Sequence, residues 1–515
     1  MIQEFSAYPD WKAPAEDSAL VIWPQPDQIL HDTVDNHMRL SAWDSPLADL
    51  RRRQRQMLKL SEDRPVIASG HQTELFHPGV WAKLAMIDAA SRRLDADSFF
   101  AAVDTDAPKH LQLRWPDQSL PITDDPRLAA AEWCGMLDAP SAGHIERLKS
   151  ALRTSAKQWS FAPMAMDFLD DLGQQSSRMP ALSAALTTAM YRLDWSLGLR
   201  HQSLVTSRLW VNEPYLAFAQ HLLARADSFA GVYNQALAEF RQAHGIDNPG
   251  RPMPDLHVST DRCEAPFWLD DLARQTRIRA CVQRDADQWQ LTLDGDAFSF
   301  SQQADATAAG RLQRFLQHHN VRLSPRALTL TMFLRLLVVD QFVHGIGGGR
   351  YEQVNDRIIQ RFFGIDAPAF CVTTATLYFP AAVGRQRICI PCLAHEGHRL
   401  RHAVMGPAKM QMVDQIQGLP RRSTQRQQVF SQMHSRRAEV VQVHPSIRTW
   451  QQRMNDAIRQ SAHDRAMFDR ELFYAIQPRE RLEGLIGKYA EAFAETRSQK
   501  PEIRNPNDES SPNDE

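Results

Sequence analysis

Cysteine is scarce, with six in 515 residues, and Cys134, Cys263, Cys281 and Cys371 are scattered. That excludes a disulfide-stapled scaffold and implies a reducing compartment. A basic-then-apolar leader is missing as well, since Glu4 and Asp10 come early. Long hydrophobic runs are absent: the most apolar stretch, Leu328 to Val343, is interrupted by Arg335 and Asp340. It is too short for a membrane span. Nor is there a surplus of charge, and the formal net of −2 gives no global pull toward nucleic acid or membrane. A soluble, cytoplasmic protein is therefore expected. Lysine is sparse beside arginine, which fits either genomic base composition or arginines that hold anionic ligands bidentately. Composition does not separate the two. Internal repeats, a Walker loop and a dinucleotide fingerprint are all lacking.

What is present is a chain with 43% apolar residues, enough for a substantial core and for two or three domains. The first forty residues read as a loosely structured lead-in anchored by Trp11 and Trp23. Leu47 to Leu60 reads as a helix whose Arg51, Arg52, Arg53 and Arg55 form a solvated face. From Pro65 the pattern is β-α-β. An apolar run ends in Gly70-His71-Gln72, a helix follows over about Val80–Leu94, and a second apolar run from Phe99 stops at Asp104 and Asp106. In parallel α/β sheets, ligands bind where strands end, so these polar groups are placed at a crevice.

Helical periodicity follows from about Pro140 to Gly198, then a buried strand over Leu204–Leu209 and a long helix over Pro214–His244. Arg277–Val282 and Gln288–Leu293 alternate around an Asp-Ala-Asp turn, which predicts a β-hairpin. Phe370–Phe379 is a further strand candidate. The expected organisation is an α/β core over 1–249 and 303–424, a small β-rich insert over 250–302, helices over 425–497 and a disordered tail over 498–515. The long, unbroken helices over Pro445–Phe473 and Glu480–Arg497 suggest a helical hairpin or coiled coil that packs on the body or on a second copy.

Several clusters can carry chemistry. Gly70 lets backbone approach a ligand, and the next helix offers N–H groups to an anion, flanked by His71 and His77 with Lys83 inside. A plain strand-turn-helix is the alternative. Asp104 and Asp106, two apart, face one side if the strand continues. They suit sugar hydroxyls, an amine or hydrated magnesium, or else serve as turn and cap residues. A second cluster runs from Arg326 to His344-Gly-Ile-Gly347-Gly348-Gly349-Arg350-Tyr-Glu352. Its glycines expose N–H groups, Arg350 suits a phosphate or carboxylate, and Glu352 suits an amine or hydroxyl. Cys389, Cys392, His395 and His398 supply four zinc-type ligands within ten residues. Their spacing is tight, so a cysteine pair in a polar loop is the alternative.

Together these segments resemble the bacillithiol biosynthesis cysteine-adding enzyme (BshC) family. Gly70, Gln72, Leu75, Phe76 and Lys83 match its Gly-Gln-Gln loop, Leu-Phe pair and helix lysine. His71 stands where the family has glutamine, and His77-Pro78-Gly79 where it has Thr-Gly-Pro. Asp104-Thr-Asp106 is similar to its acidic segment, and Pro325-Arg326-Ala-Leu328 to its Pro-Arg-x-Leu. Gly347–Glu352 is similar to its Gly-Gly-Pro-Gly-Glu loop, with the proline lost and the glutamate displaced. The resemblance covers most of the chain in order.

It implies a Rossmann-like, nucleotidyltransferase-type core with a dimerising coiled coil, hence a homodimer. It also implies a carbon–nitrogen ligase that joins L-cysteine to glucosaminyl malate or a related amino sugar, with ATP as energy source. His71, Gln72, Asp104 and Asp106 would then be catalytic. Gly70, Phe76, His77, Lys83, Arg326, His344, Gly347–Gly349, Arg350 and Glu352 would bind substrate or nucleotide. The Cys/His segment has no place in the family pattern; if its four ligands converge, zinc there would order the loop or hold an incoming cysteine thiolate. A non-catalytic nucleotide- or sugar-phosphate-binding scaffold is the alternative from another class.

Overall fold

The computed structural model describes residues 8–43, 46–302, 307–383 and 389–495, and the tail expected over 498–515 lies outside them. Its strands are β1 (Leu20–Trp23), β2 (Val66–Gln72), β3 (Asp97–Val103), β4 (Gln112–Trp115), β5 (Gln118–Pro121), β6 (Gln202–Val205), β7 (Arg262–Asp271), β8 (Thr276–Asp285), β9 (Gln288–Leu293), β10 (Asp296–Phe300), β11 (Val321–Pro325), β12 (Gln341–His344) and β13 (Phe370–Ala375). The chain is mixed α/β. It forms two compact units, one from the described residues of Met1–Arg114, Ser119–Leu377 and Arg470–Glu515, the other from Trp115–Gln118 and Tyr378–Asp469.

The first unit is organised by a six-stranded sheet in the order β1-β13-β12-β2-β3-β6. All neighbours are parallel except β1, which runs antiparallel along β13. The central strand β2 opens as an apolar and small-residue run, Val66–Gly70, and β12 is buried along its whole length. From β2 the chain steps outward to β3 and β6, then restarts at β12 on the other side of β2 and steps outward to β13. The direction of travel reverses between β2 and β12. Their pairing ends at Ser69 and Val343, and beyond it the carboxyl ends carry Gly70–Gln72 and His344–Gly345, the position at which parallel α/β sheets bind ligands.

The amino ends of the same two strands are locked by charge. Asp340, fully buried, accepts hydrogen bonds from Arg51 and Arg55 (Arg55 Nη2 at 2.5 Å) and from the backbone N–H of Val66 at 2.7 Å. His37 Nδ1 lies 3.2 Å from the same carboxylate. The expectation of a solvated arginine face over Leu47–Leu60 is corrected here. Arg51 and Arg55 point inward, and only Arg52 and Arg53 remain on the wet side of the Pro46–Met57 helix. One turn separates the two inward residues, the spacing of a single helix face. Burial would raise the Asp340 carboxyl, but the Arg55 and Arg51 charges and the His37 hydrogen bond outweigh it and hold it below its ordinary range.

The first forty residues are also more ordered than expected. They form β1 and the Pro26–Ser41 helix, and Trp11 packs with Phe370 and Val372 against Tyr8 and Trp23. The long helix expected over Pro214–His244 is two helices, Glu213–Leu223 and Ala226–Ala243. The expected Leu204–Leu209 strand stops at Val205 and turns into a short 3-10 segment.

The β-rich insert is a five-stranded antiparallel sheet, β10-β9-β8-β7-β11. The hairpin expected around Asp285–Gln288 joins β8 to β9, with Gln283 opposite Gln290. The sheet outgrows the expected 250–302 boundary, because Val321–Pro325 pairs with β7. Buried Asp270 ties it together, accepting from Arg277 at 2.6 Å, Arg322 at 2.8 Å and Ser324 at 2.6 Å.

The second unit is built from helices Ile390–Ala403, Pro407–Gly418, Thr424–Val443 and Pro445–Met467. Trp450 anchors it, donating its indole N–H to the Leu393 carbonyl at 2.8 Å. The division expected at 424/425 therefore moves to residue 378, and the Cys/His segment belongs with the helices. The described residues from Arg470 to Glu495 return to the first unit. There the Arg479–Ala494 helix packs on the Pro78–Leu94 helix, and the Tyr489 hydroxyl meets Thr373 Oγ1 at 2.5 Å. Among the described residues, no helix is long and apolar enough to cross a membrane.

Removing the Asp340 charge strands two buried guanidinium groups. Asp340→Asn should cost about 3–5 kcal/mol of unfolding free energy at pH 7 in urea melts. A carboxyl held low in the folded state stabilises fully above its unfolded value and loses that contribution as pH falls. The gap between parent and variant should therefore narrow progressively below about pH 4. An unchanged gap on acidification would refute the assignment.

Candidate functional site

The candidate site is built first from β2 and β3. Their register sets Gly70 opposite Ala101, His71 opposite Ala102 and Gln72 opposite Val103. A Cβ on residue 70 would lie 2.9 Å from the Ala101 carbonyl oxygen, so only glycine lets the strands close at that level. Beyond Gln72 the chain turns, and His77 caps the Pro78–Leu94 helix, its Nδ1 accepting the Gly79 N–H at 3.0 Å. Pro78 opens that helix, where its missing N–H costs nothing.

Within this frame His71 and Glu74 form a pair at 3.0 Å. Burial lowers the His71 imidazole, against the upward pull of its hydrogen bond to Glu74. Burial alone would raise Glu74, but the His71 hydrogen bond, the His71 and His110 charges and the His110 N–H hold it low. The ionised carboxylate thus receives Nε2–H of a neutral imidazole, leaving the Nδ1 lone pair available. His71 keeps about a fifth of its side chain exposed, while Glu74 is buried.

Lys83, one turn inside the helix, is buried and donates to the Gly70 carbonyl at 2.6 Å. Desolvation pushes its ammonium down to about 7, with Glu74 pulling the other way. His77 is driven to about 3 by burial and by the Arg470 charge, so it is a neutral cap. Gln72 Nε2 donates to Asp106 Oδ2 at 3.1 Å. Burial raises the Asp106 carboxyl, with the Gln72 hydrogen bond and the Arg277 charge opposing. Phe76 walls the site, edge-on to His71 at 5.8 Å and stacked on Tyr474 at 5.6 Å. Gly70, His71, Gln72, Phe76, His77, Lys83 and Asp106 are thus linked by contacts around the end of β2.

Asp104 does not join them. The strand ends at Val103, so the alternation that would align Asp104 with Asp106 never starts. Its carboxylate is committed to the turn after β6, accepting from Ser207 N at 2.8 Å and Ser207 Oγ at 2.6 Å.

The second cluster divides in the same way. His344 ends β12 next to β2, with burial driving its imidazole well below the ordinary range, helped by the Arg335 and Lys83 charges. The expected glycine loop is instead the first turn of the Ile346–Phe363 helix, capped by Gly345. Gly349 explains why: a Cβ there would sit 2.4 Å from Val372 Cγ2, so glycine lets the helix settle on β13.

Three side chains expected in the crevice are spent elsewhere. Arg326 holds Glu264 of β7 at 2.6 Å, because it follows β11 in the second sheet. Glu352 is buried against Arg335 and Thr331. Arg350 reaches Asp10 at 3.0 Å and lines a separate cavity of about 840 Å³ with Tyr8 and Phe240. Another open cavity, of about 600 Å³, lies by Tyr8, Trp23, Asp356 and Phe370. It borders the first residue of β13, at the end of the sheet remote from His71 and Glu74.

The zinc ligand set does not form. Cys389 and Cys392 are joined by a disulfide, and bonded sulfurs have no thiolate charge to give a metal. His398 lies against His402 instead. Among the described residues, the only group of three or more metal-type ligands is Asp296, His318 and His319.

Residues missed in the sequence complete the site. Glu74 was legible as the carboxylate three residues after His71. Tyr474 was not, because it arrives from the far end of the chain to place its hydroxyl 3.0 Å from Asp194, which also accepts the Trp81 indole N–H at 2.8 Å. No protein-family model and no curated protein matches the chain.

Because Lys83 binds its proton more weakly folded than unfolded, the unfolded chain carries more protons between about 7 and 10.5. Stability from this group therefore rises with pH across that window. The melting temperature of the parent minus that of Lys83→Met should increase from pH 7 to pH 9. A difference that stays flat would place Lys83 in contact with solvent.

Proposed function

We propose that the chain is a carbon–nitrogen ligase that joins L-cysteine to an amino-sugar acceptor, glucosaminyl malate or a related compound. This is the activity implied by its resemblance to the bacillithiol cysteine-adding enzymes. The observation that carries the reading is the His71–Glu74 pair beside a buried, easily deprotonated Lys83, all at the point where the sheet reverses direction. Taken in chain order, the parallel strands run 3-2-1-4-5 across the sheet, the arrangement of Rossmann-like folds, which bind nucleotides at that reversal.

Amide formation needs an uncharged acceptor amine, an activated carboxyl and a home for the released proton. His71 Nδ1 supplies the last, with Glu74 fixing the tautomer and stabilising the imidazolium that results. Gln72 and Asp106 offer a donor and an acceptor to a polyhydroxylated acceptor. The start of the Ile346–Phe363 helix, where Cβ positions at Gly345 and Gly347 are unobstructed, suits phosphate groups. ATP would supply the activation of the cysteine carboxyl.

The scaffold reading keeps one observation in its favour: Arg326, Arg350 and Glu352 are engaged in internal contacts. Thermal-shift measurements separate the two, since a ligand bound only by the native state raises the melting temperature. Nucleotide binding without turnover would favour the scaffold. A homodimer formed through the second unit is part of the proposal, supported by exposed Phe430, Val443 and Ile458 on its helices. Light scattering that returns a monomer at high concentration would remove it. A cytoplasmic setting is part of the same proposal, in which Cys134, Cys263, Cys281 and Cys371 stay unbridged and the exposed Cys389–Cys392 bond is reducible.

With L-cysteine, glucosaminyl malate and ATP, purified protein should form a cysteinyl amide detectable by mass spectrometry. His71→Ala should slow it by about 10²-fold or more, as expected for loss of a general base. Glu74→Gln should slow it less and shift its pH dependence. Undiminished turnover in His71→Ala would overturn the role of this pair.

A further inference from the structure

Cys389 and Cys392 are left without a role by the ligase reading, and they belong to the second unit. Both are solvent-exposed, unlike Cys134, Cys263 and Cys371, which are buried. They are bonded to each other across Ile390 and Pro391. Cys389 is the N-cap of the Ile390–Ala403 helix, and its sulfur accepts the backbone N–H of Cys392 at 3.2 Å. A sulfur at that position gains from the unsatisfied N–H groups of the first turn and from the helix dipole, both of which favour thiolate over thiol. Pro391 in the first turn removes no helical hydrogen bond.

The nearby side chains add one fixed positive charge, that of Arg399 two turns along from Cys392. His395 and Arg399 follow Cys392 at helical spacing along one face and are exposed, as is His398. Glu396 is the acidic residue of this helix, and it is paired with Arg453 at 2.8 Å. A bridged pair, one of its sulfurs at a helix N-cap, and a neighbouring basic side chain thus coincide at one exposed helix end.

We propose that Cys389–Cys392 is a thiol–disulfide exchange site acting on low-molecular-weight disulfides whose halves carry carboxylates. In the reduced protein the Cys389 thiolate attacks one sulfur of the small disulfide. A protein–small-molecule disulfide forms, the original S–S bond breaks, and the departing thiolate takes a proton. Cys392 then gives up its proton and attacks the Cys389 sulfur, releasing the second small thiol. Two electrons pass from the protein dithiol to the small disulfide, and the protein is left with the bond seen here. The Arg399 charge favours the carboxylates, and Cys389 is the attacking sulfur because it alone caps the helix.

The test uses the full chain, reduced, freed of reductant without air and mixed with glutathione disulfide. The peptide holding both cysteines should lose two hydrogens while two equivalents of glutathione are released. Cys392→Ser should stop at one glutathione attached to Cys389. Cys389→Ser should form its adduct about tenfold more slowly, following the lower thiolate character of the remaining sulfur. Both positions are exposed, so circular dichroism should show folded variants. A dithiol that stays reduced under excess glutathione disulfide would overturn the proposal. So would a Cys389→Ser variant that reacts as fast as Cys392→Ser. Neither result depends on ligase turnover, so this site and the ligase reading fail separately.

Discussion

One buried carboxylate sets the geometry of the larger unit. Asp340 lies just before β12, yet it takes the Val66 N–H that opens β2 and two guanidinium groups from the Pro46–Met57 helix. Its own carbonyl accepts from Asn36 at 2.7 Å, which draws in the Pro26–Ser41 helix. An ionised group in a dry interior is tolerated only when its lone pairs are filled, and here charge and backbone fill them together. With the amino ends of β2 and β12 fixed in this way, their carboxyl ends must emerge side by side. The groups around His71 are thus positioned by an interaction at the opposite end of the same strands.

That arrangement also explains the low polarity of the site's floor. Helix and sheet meet there through glycines and small residues, which excludes water from Lys83 and His344 and leaves both reluctant to hold a proton. Desolvation is the shared cause. The same desolvation acts on His71, where Glu74 counters it by hydrogen bonding. One environment therefore yields a neutral imidazole, an ionised carboxylate and an amine that titrates near neutrality.

The sequence was most readable where local pattern and tertiary role coincide. The β2–helix–β3 unit and the β8–β9 hairpin follow from alternation, glycine and turn residues alone. Gly70, His71, Gln72 and Lys83 were legible because they punctuate that unit. What failed shares one property: it depended on partners distant in the chain. Arg51 and Arg55 look solvated until Asp340, nearly three hundred residues later, is placed beside them. Glu352 and Arg326 look available until Arg335 and Glu264 claim them. Asp104 and Asp106 share a spacing rule that applies only inside a strand, and the strand had already ended. Tyr474 carries no local signature, since its value lies in meeting Trp81, Phe76 and Asp194.

The return of the chain at Arg470 has a consequence for biosynthesis. Trp81 and Asp194 are completed by Tyr474, 393 residues after Trp81. At translation rates of about 5–20 residues per second, roughly 20–80 s separate their emergence. Throughout that interval the Pro78–Leu94 helix lacks the surface that finally covers it, while the helices of residues 390–467 are made and can fold first. Until its last stretch arrives the first unit therefore has an incomplete core, and a chain cut off before residue 474 keeps Trp81 and Asp194 without the ring and hydroxyl that complete them.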